Sequence, residues 1–167
     1  MLVIGIDPGT ATTGFGLINE DEKKEIRLVT YGIIKTEPGL AAEKRLLEIY
    51  QQLNQILLLH RPDCAAVEKL FFQRNITTAI AVGQARGVIL LSLAEQNIPV
   101  GEYTPNEIKQ SVTGYGAADK KQVQEMIRTI LCLKEIPKPD DAADALAIAL
   151  CHLHSRGFQD LNMIGGA

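Results

Sequence analysis

Residues 2–6 read Leu-Val-Ile-Gly-Ile, an apolar run with no polar interruption. A strand with one wet face alternates, so an uninterrupted run describes a strand covered on both faces. That requirement places packed layers on either side of a sheet and favours an α/β chain. The run stops at Asp7-Pro8-Gly9-Thr10, which has turn chemistry. Thr13–Ile18 and Ile26–Thr36 are expected as two more strands, joined around the charged Glu20-Asp21-Glu22. Leu46, Tyr50, Leu53 and Leu57 recur at helical spacing, predicting an amphipathic helix over roughly Leu40 to His60. Arg61-Pro62-Asp63 breaks it, and Cys64–Val67 forms a short apolar strand that ends at Glu68. A long helix over Thr77–Gln96 and a strand over Val100–Tyr103 follow.

Thr104-Pro105-Asn106-Glu107 has the form of a capping box with proline at the first helical position, opening a helix that stops near Gly114. Asp119 can cap another helix, and Pro139 or Asp140 opens the last, expected to run to about Arg156. The order describes a sheet with a meander at one side and a parallel, right-handed crossover beyond it. Functional groups in such sheets collect at the carboxyl ends of strands near a change in strand order. Asp7 and Glu68 both sit at such ends.

With 167 residues, 46% of them apolar, and no repeat or linker, the chain is expected to form one domain over 1–157 with a short tail at 158–167. Its net charge of −3 does not advertise a nucleic-acid binder. Acids crowd Glu20 to Glu48, however, whereas Lys109, Lys120, Lys121, Arg128, Lys134 and Lys138 fall in the second half, which permits a local basic surface. Cys64, Cys132 and Cys151 form no C-x-x-C pair and read as reduced, buried small hydrophobes. With no leader-like start and no apolar stretch near the ~20 residues of a membrane span, a soluble cytoplasmic protein is expected.

An acid closing an apolar strand is common, and for Asp7 or Glu68 alone a solvated strand end explains it as well as a functional site does. The last helix shifts the balance. Asp144 shares a face with Ala147, Ile148 and Cys151, with Asp140 and Asp141 flanking it, while Leu146, Leu150 and Leu153 occupy another side. A helix apolar almost all round is buried, and carboxylates on it are costly unless paired, hydrogen-bonded or metal-bound. Acids in a first turn can simply complement the helix dipole, but that accounts poorly for Asp144 on the inward face. Carboxylates converging at one end of a sheet raise one another's pKa values, and a hard divalent cation relieves the conflict. All-oxygen ligation selects magnesium or manganese over zinc, and paired ions suit phosphodiester hydrolysis.

The segments Ile4-Gly5-Ile6-Asp7-Pro8-Gly9-Thr10, Val67-Glu68, Gly83-Gln84-Ala85-Arg86-Gly87 and Asp141-Ala142-Ala143-Asp144-Ala145-Leu146 together closely resemble the RuvC family of Holliday-junction resolvases. The similarity covers nearly the whole chain in the same order. It implies a ribonuclease-H-like mixed five-stranded sheet flanked by helices. It also implies a homodimer that resolves four-way junction DNA by symmetric paired incision during recombination and repair. Two magnesium ions per site, with manganese as a substitute, and the RuvA and RuvB branch-migration proteins as partners come with the same resemblance. Its four acidic positions match Asp7, Glu68, Asp141 and Asp144 as catalytic, metal-binding residues; helical geometry left Asp140 and Asp141 open, and the family's D-A-A-D pattern selects Asp141. Phe71 matches an aromatic that stacks on a base, although Phe71 or Phe72 could equally plug the core, with one buried and one exposed. Lys109 and Lys120 match positions that hold the DNA backbone, with Lys121 and Arg74 as helpers. His152 and His154 lie about 200° apart on the last helix and read as structural.

Three other readings compete. A G-I-D-x-G-T turn also resembles the phosphate loop of sugar kinases and actin-like ATPases, but those enzymes need two copies of the fold. A resolvase-like nuclease for structured RNA is closer. A non-catalytic DNA-binding module is disfavoured by the intact acidic set, since carboxylates weaken DNA binding unless metal neutralises them.

Overall fold

The computed structural model describes residues 1–70 and 76–164. Five strands form one sheet in the order β3-β2-β1-β4-β5: β1 (Leu2–Asp7), β2 (Thr12–Glu20), β3 (Ile26–Lys35), β4 (Cys64–Glu68) and β5 (Val100–Tyr103). β1, β2 and β3 make an antiparallel meander, and β4 and β5 run parallel to β1. The expected α/β class, with a mixed five-stranded sheet flanked by helices, is what forms.

Side-chain alternation divides the sheet between two cores. Ile4 and Ile6 of β1, with Ala65 and Val67 of β4, face α1 (Ala42–His60) and α2 (Ile76–Glu95), which contribute Ile49, Leu53, Leu57, Ala85, Ile89 and Leu93. Val3, Cys64 and Ala66 face the opposite layer of α3 (Pro105–Thr113), α4 (Lys120–Ile130) and α5 (Asp140–Ile164). The uninterrupted run in β1 is thereby explained, since Val3, Ile4 and Ile6 are all fully buried.

Local chemistry sets the helix ends. Thr104 and Glu107 form the expected capping box at α3, and Gly114 ends that helix in the left-handed conformation at φ 75°. Asp119 and Gln122 form a second box at α4. α1 ends at Arg61, also left-handed.

Two expectations are corrected. α5 continues to Ile164 rather than ending near Arg156. Gly157 disfavours a helix by only ~1 kcal/mol, and no proline follows to stop it. Cys132 is exposed, whereas Cys64 and Cys151 are buried; Cys132 occupies the turn after α4 at φ 52°, outside the core. Among the described residues, no helix is long and apolar enough to cross a membrane.

Candidate active site

Asp7 and Glu68 end β1 and β4, adjacent parallel strands. Between these strands the chain changes direction across the sheet, from the meander on one side to β4 and β5 on the other, and loops part there to leave a crevice. Counting by two from Val3 and Cys64 puts Asp7 and Glu68 on the face covered by α5.

Glycines set how closely α5 lies on that face. A methyl on Gly5 would overlap the Ala145 carbonyl oxygen, and one on Gly14 would overlap the Asp141 carbonyl oxygen. Gly14 pairs with Asp7 across the β1–β2 ladder. The helix backbone therefore rests directly on the sheet beside Asp7, carrying Asp141 and Asp144 with it. From Ala142 to Leu153, Asp144 is the one residue that is not buried, because it opens into the crevice.

A cavity of about 290 Å³ lies there, lined by Asp7, Glu68 and Asp144 together with Lys109 and Lys120. Burial, followed by the charges of Glu68, Asp144 and Asp141, pushes the Asp7 carboxyl up to about 8. Burial and Asp144 raise Glu68, with Lys109 pulling the other way. Burial also raises Asp144, against its hydrogen bond from Lys120. Burial disfavours charge on Lys120 as well, but hydrogen bonds to Asp144 and Asp140 hold its ammonium above the usual lysine range. The site thus carries more negative charge than its surroundings comfortably support.

The donor set is all oxygen and suits a hard divalent cation. As the side chains stand, no three acids among the described residues are gathered tightly enough to hold an ion. Asp144 is turned instead to Lys120, whose Nζ donates to its Oδ2 at 3.0 Å and lies 3.2 Å from Asp140 Oδ2. With Lys120 half exposed, this pairing is worth only ~0–1 kcal/mol, little resistance to a cation claiming Asp144.

The structure separates the neighbours Asp140 and Asp141. Asp140 is exposed, hydrogen-bonded by Gln124 and paired with Lys120, and both neighbours' charges reach Asp144, but only that of Asp141 reaches Asp7. Asp141→Asn is expected to abolish cleavage and Asp140→Asn to reduce it only a few-fold in a single-turnover assay. Equal losses would show that the two share one role.

Lys109 and Lys120 line the acidic cavity itself, a closer placement than a role in holding DNA backbone required. Lys121 is exposed in the first turn of α4 and is not part of the lining. Phe71, Phe72 and Arg74 lie outside the described residues. His152 Nδ1 meets the Tyr103 hydroxyl at 2.9 Å, and His154 Nδ1 meets Ser111 Oγ at 3.2 Å, so both tie α5 to its neighbours. Sequence reading puts Ala147 and Ile148 on the Asp144 face but misses Ile108 and Val123, which complete an apolar wall with them. The signal lies in the inward positions of α3 and α4, but their convergence on α5 depends on tertiary packing.

An acid-lined crevice at the switch point of a mixed five-stranded sheet, carried partly by its last helix, has the donor chemistry that metal-dependent phosphodiester hydrolysis uses. Residues 3–152 match the family described as crossover junction endodeoxyribonuclease RuvC. A RuvC from Syntrophomonas wolfei is 56% identical over 93% of this chain and 90% of its own length. One from Desulfitobacterium hafniense is 54% identical over 100% and 99%. The Thermus thermophilus RuvC structure superposes with a TM-score of 0.88 at 39% identity, covering 95% of this chain and 97% of that one. A second Thermus structure, RuvC in complex with a Holliday junction substrate, gives 0.86 at 37% identity over 95% and 96%. The chain belongs to the RuvC family of crossover junction endodeoxyribonucleases. The structured-RNA alternative finds no support in these relatives and is withdrawn.

Proposed function

We propose that this chain resolves Holliday junctions by paired, symmetric, magnesium-dependent incision, using Asp7, Glu68, Asp141 and Asp144. The observation that carries the reading is the convergence of Asp7, Glu68 and Asp144 on one cavity, with the charge of Asp141 felt by Asp7. These four would hold the metal, two ions with manganese as a substitute. When bound, divalent ions activate water and stabilise the leaving oxygen in phosphodiester hydrolysis. The chain's own part is to bring the acids together at one cavity, present Lys109 and Lys120 to the phosphate, and shield one side with the apolar wall.

DNA brings phosphate charge to this mouth, and lysines that neutralise it release counterions. Lys109→Ala and Lys120→Ala should each weaken junction binding and flatten its salt dependence, by roughly one unit of slope per lost contact. An unchanged slope for both would place them away from DNA. Lys121 is proposed as a further backbone contact. Phe71 as a base-stacking residue and Arg74 as its helper are proposed on the family resemblance.

A symmetric junction calls for two sites, and one chain carries one acid cluster, so the acting form is a homodimer. α2 supports this: a methyl on Gly87 would meet nothing within 4 Å among the described residues, and exposed Ile80 (57%) and Leu91 (56%) flank it on one face. Packing against the described residues therefore gives Gly87 no reason to be small, whereas close approach of a second helix does. Light scattering should give twice the chain mass, and Leu91→Arg should give a monomer that binds junctions weakly. A Leu91→Arg dimer with normal activity would move the interface elsewhere. A cytoplasmic location and partnership with RuvA and RuvB follow from the same family reading. The test of function is a cruciform plasmid, which should yield linear product that ligase can reseal.

A further inference from the structure

The motif Gly83-Gln84-Ala85-Arg86-Gly87 marks the family yet contributes nothing to the cavity lining. It lies on α2, across the sheet from the acids. Ala85 is fully buried against the sheet, and a methyl on Gly83 would touch Leu70 Cδ1 at 3.4 Å, so α2 lies beside the chain leaving β4. From there Arg86, with its side chain 17% exposed, reaches two strand ends. Its Nε donates to the Glu68 carbonyl oxygen at 3.3 Å, and its Nη2 pairs with Glu102 Oε2 at 2.6 Å. Glu102 belongs to β5, opposite Val67 and one residue short of the Glu68–Tyr103 pair. Beyond that pair, among the described residues, the ladder continues through Lys69 N–H donating to the Tyr103 carbonyl oxygen at 2.8 Å.

We infer that Arg86 is a positioning residue for the active-site acid Glu68, clamping the ends of β4 and β5 from the far face so that the Glu68 side chain is held toward the cavity. The planar guanidinium does this because it spans a carbonyl and a carboxylate at once, which a lysine ammonium on a flexible stem does not. Because α2 also carries the exposed Ile80, Gly87 and Leu91 face, the clamp links that face to the acid site through one rigid helix. The inference rests on Glu68 being a metal-binding acid, as proposed above.

The test is Mn2+ binding to the folded protein without DNA, followed by electron paramagnetic resonance, alongside thermal melting and junction affinity. Arg86→Lys should raise the half-saturating Mn2+ concentration about 10–100-fold, the usual effect of losing a group that orients a ligand. Junction affinity and the melt should stay near those of the parent. Glu102→Gln, which weakens one arm of the clamp at a partly exposed position, should shift Mn2+ binding the same way but less. Parental Mn2+ binding in Glu102→Gln and in any folded Arg86→Lys overturns the inference, as does a lowered melt with unchanged Mn2+ binding. Glu68→Gln serves as the reference and should lose Mn2+ binding outright. If it binds normally, the metal reading of Glu68 falls and the inference falls with it; if only the clamp variants behave as parent, the inference alone is wrong.

Discussion

Asp7→Asn protein will bind a four-way junction at least as well as the parent and will cleave it at least ~10³-fold more slowly, beyond the 10²–10³ lost with a single transition-state donor. The substitution keeps the shape of the side chain and removes the charge that burial and three neighbouring acids oppose most strongly. Binding is spared because it depends on phosphate contacts, which one fewer nearby carboxylate can only favour. A second consequence concerns stability. The folded chain holds the Asp7 proton up to about 8, against an ordinary aspartate value of 3.8, so between those values the folded state binds more protons than the unfolded state. The contribution of Asp7 to stability in metal-free protein therefore falls as pH rises from about 4 to 8. Asp7→Asn removes that loss and should melt higher than the parent at pH 8 without metal. Added magnesium should stabilise the parent and leave the variant nearly unchanged. A variant that melts lower at pH 8 would show that the Asp7 carboxylate is not under electrostatic strain.

Gly14→Ala is the second substitution expected to have a large effect, although it removes no chemical group. Its methyl would overlap the Asp141 carbonyl oxygen, an atom of helix backbone that cannot swing aside as a side chain does. Relief requires α5 to lift from β2, parting the contacts of Leu146 and the alanines on that face. Overpacking of this kind typically costs 1–3 kcal/mol, and with backbone on both sides the upper end, about 3 kcal/mol, is expected. At roughly 2–4 °C per kcal/mol for a chain this long, melting should fall by roughly 6–12 °C. Activity should fall further than stability accounts for, because the same shift carries Asp141 and Asp144 away from Asp7. Gly39, in an exposed turn with no described residue within 4 Å but at φ 86°, provides a comparison: Gly39→Ala should cost some stability through backbone strain and leave cleavage intact. Parental activity in folded Gly14→Ala would mean that the acids tolerate displacement of α5.

The contrast between these substitutions indicates what the sequence made legible. Strand and helix positions follow from local periodicity and caps, so β5 at Val100–Tyr103, the Thr104 capping box and the Asp119 cap could be read directly. Asp7 and Glu68 were legible as strand-end acids, and Asp144 as a charge on a buried helix. The close approach of α5 at Gly5 and Gly14 was not, because a glycine in a strand does not reveal which distant backbone it admits. Asp140 and Asp141 could not be separated by spacing, since adjacent residues flank the same face; only Lys120 and Gln124, about twenty positions away, show where Asp140 turns. The end of α5 was misplaced because a single glycine was given more weight than a helix this long concedes.

Paired incision under metal control is the central claim. The most direct measurement uses a synthetic mobile four-way junction with each strand end-labelled in turn, incubated with the protein with and without magnesium. With magnesium, two strands of like polarity should be nicked at symmetry-related positions, leaving ends that ligase joins; without it, and with Asp7→Asn, the junction should be bound and uncut. Cleavage that survives removal of divalent ions, or that falls on plain duplex as readily as on the junction, would contradict the account.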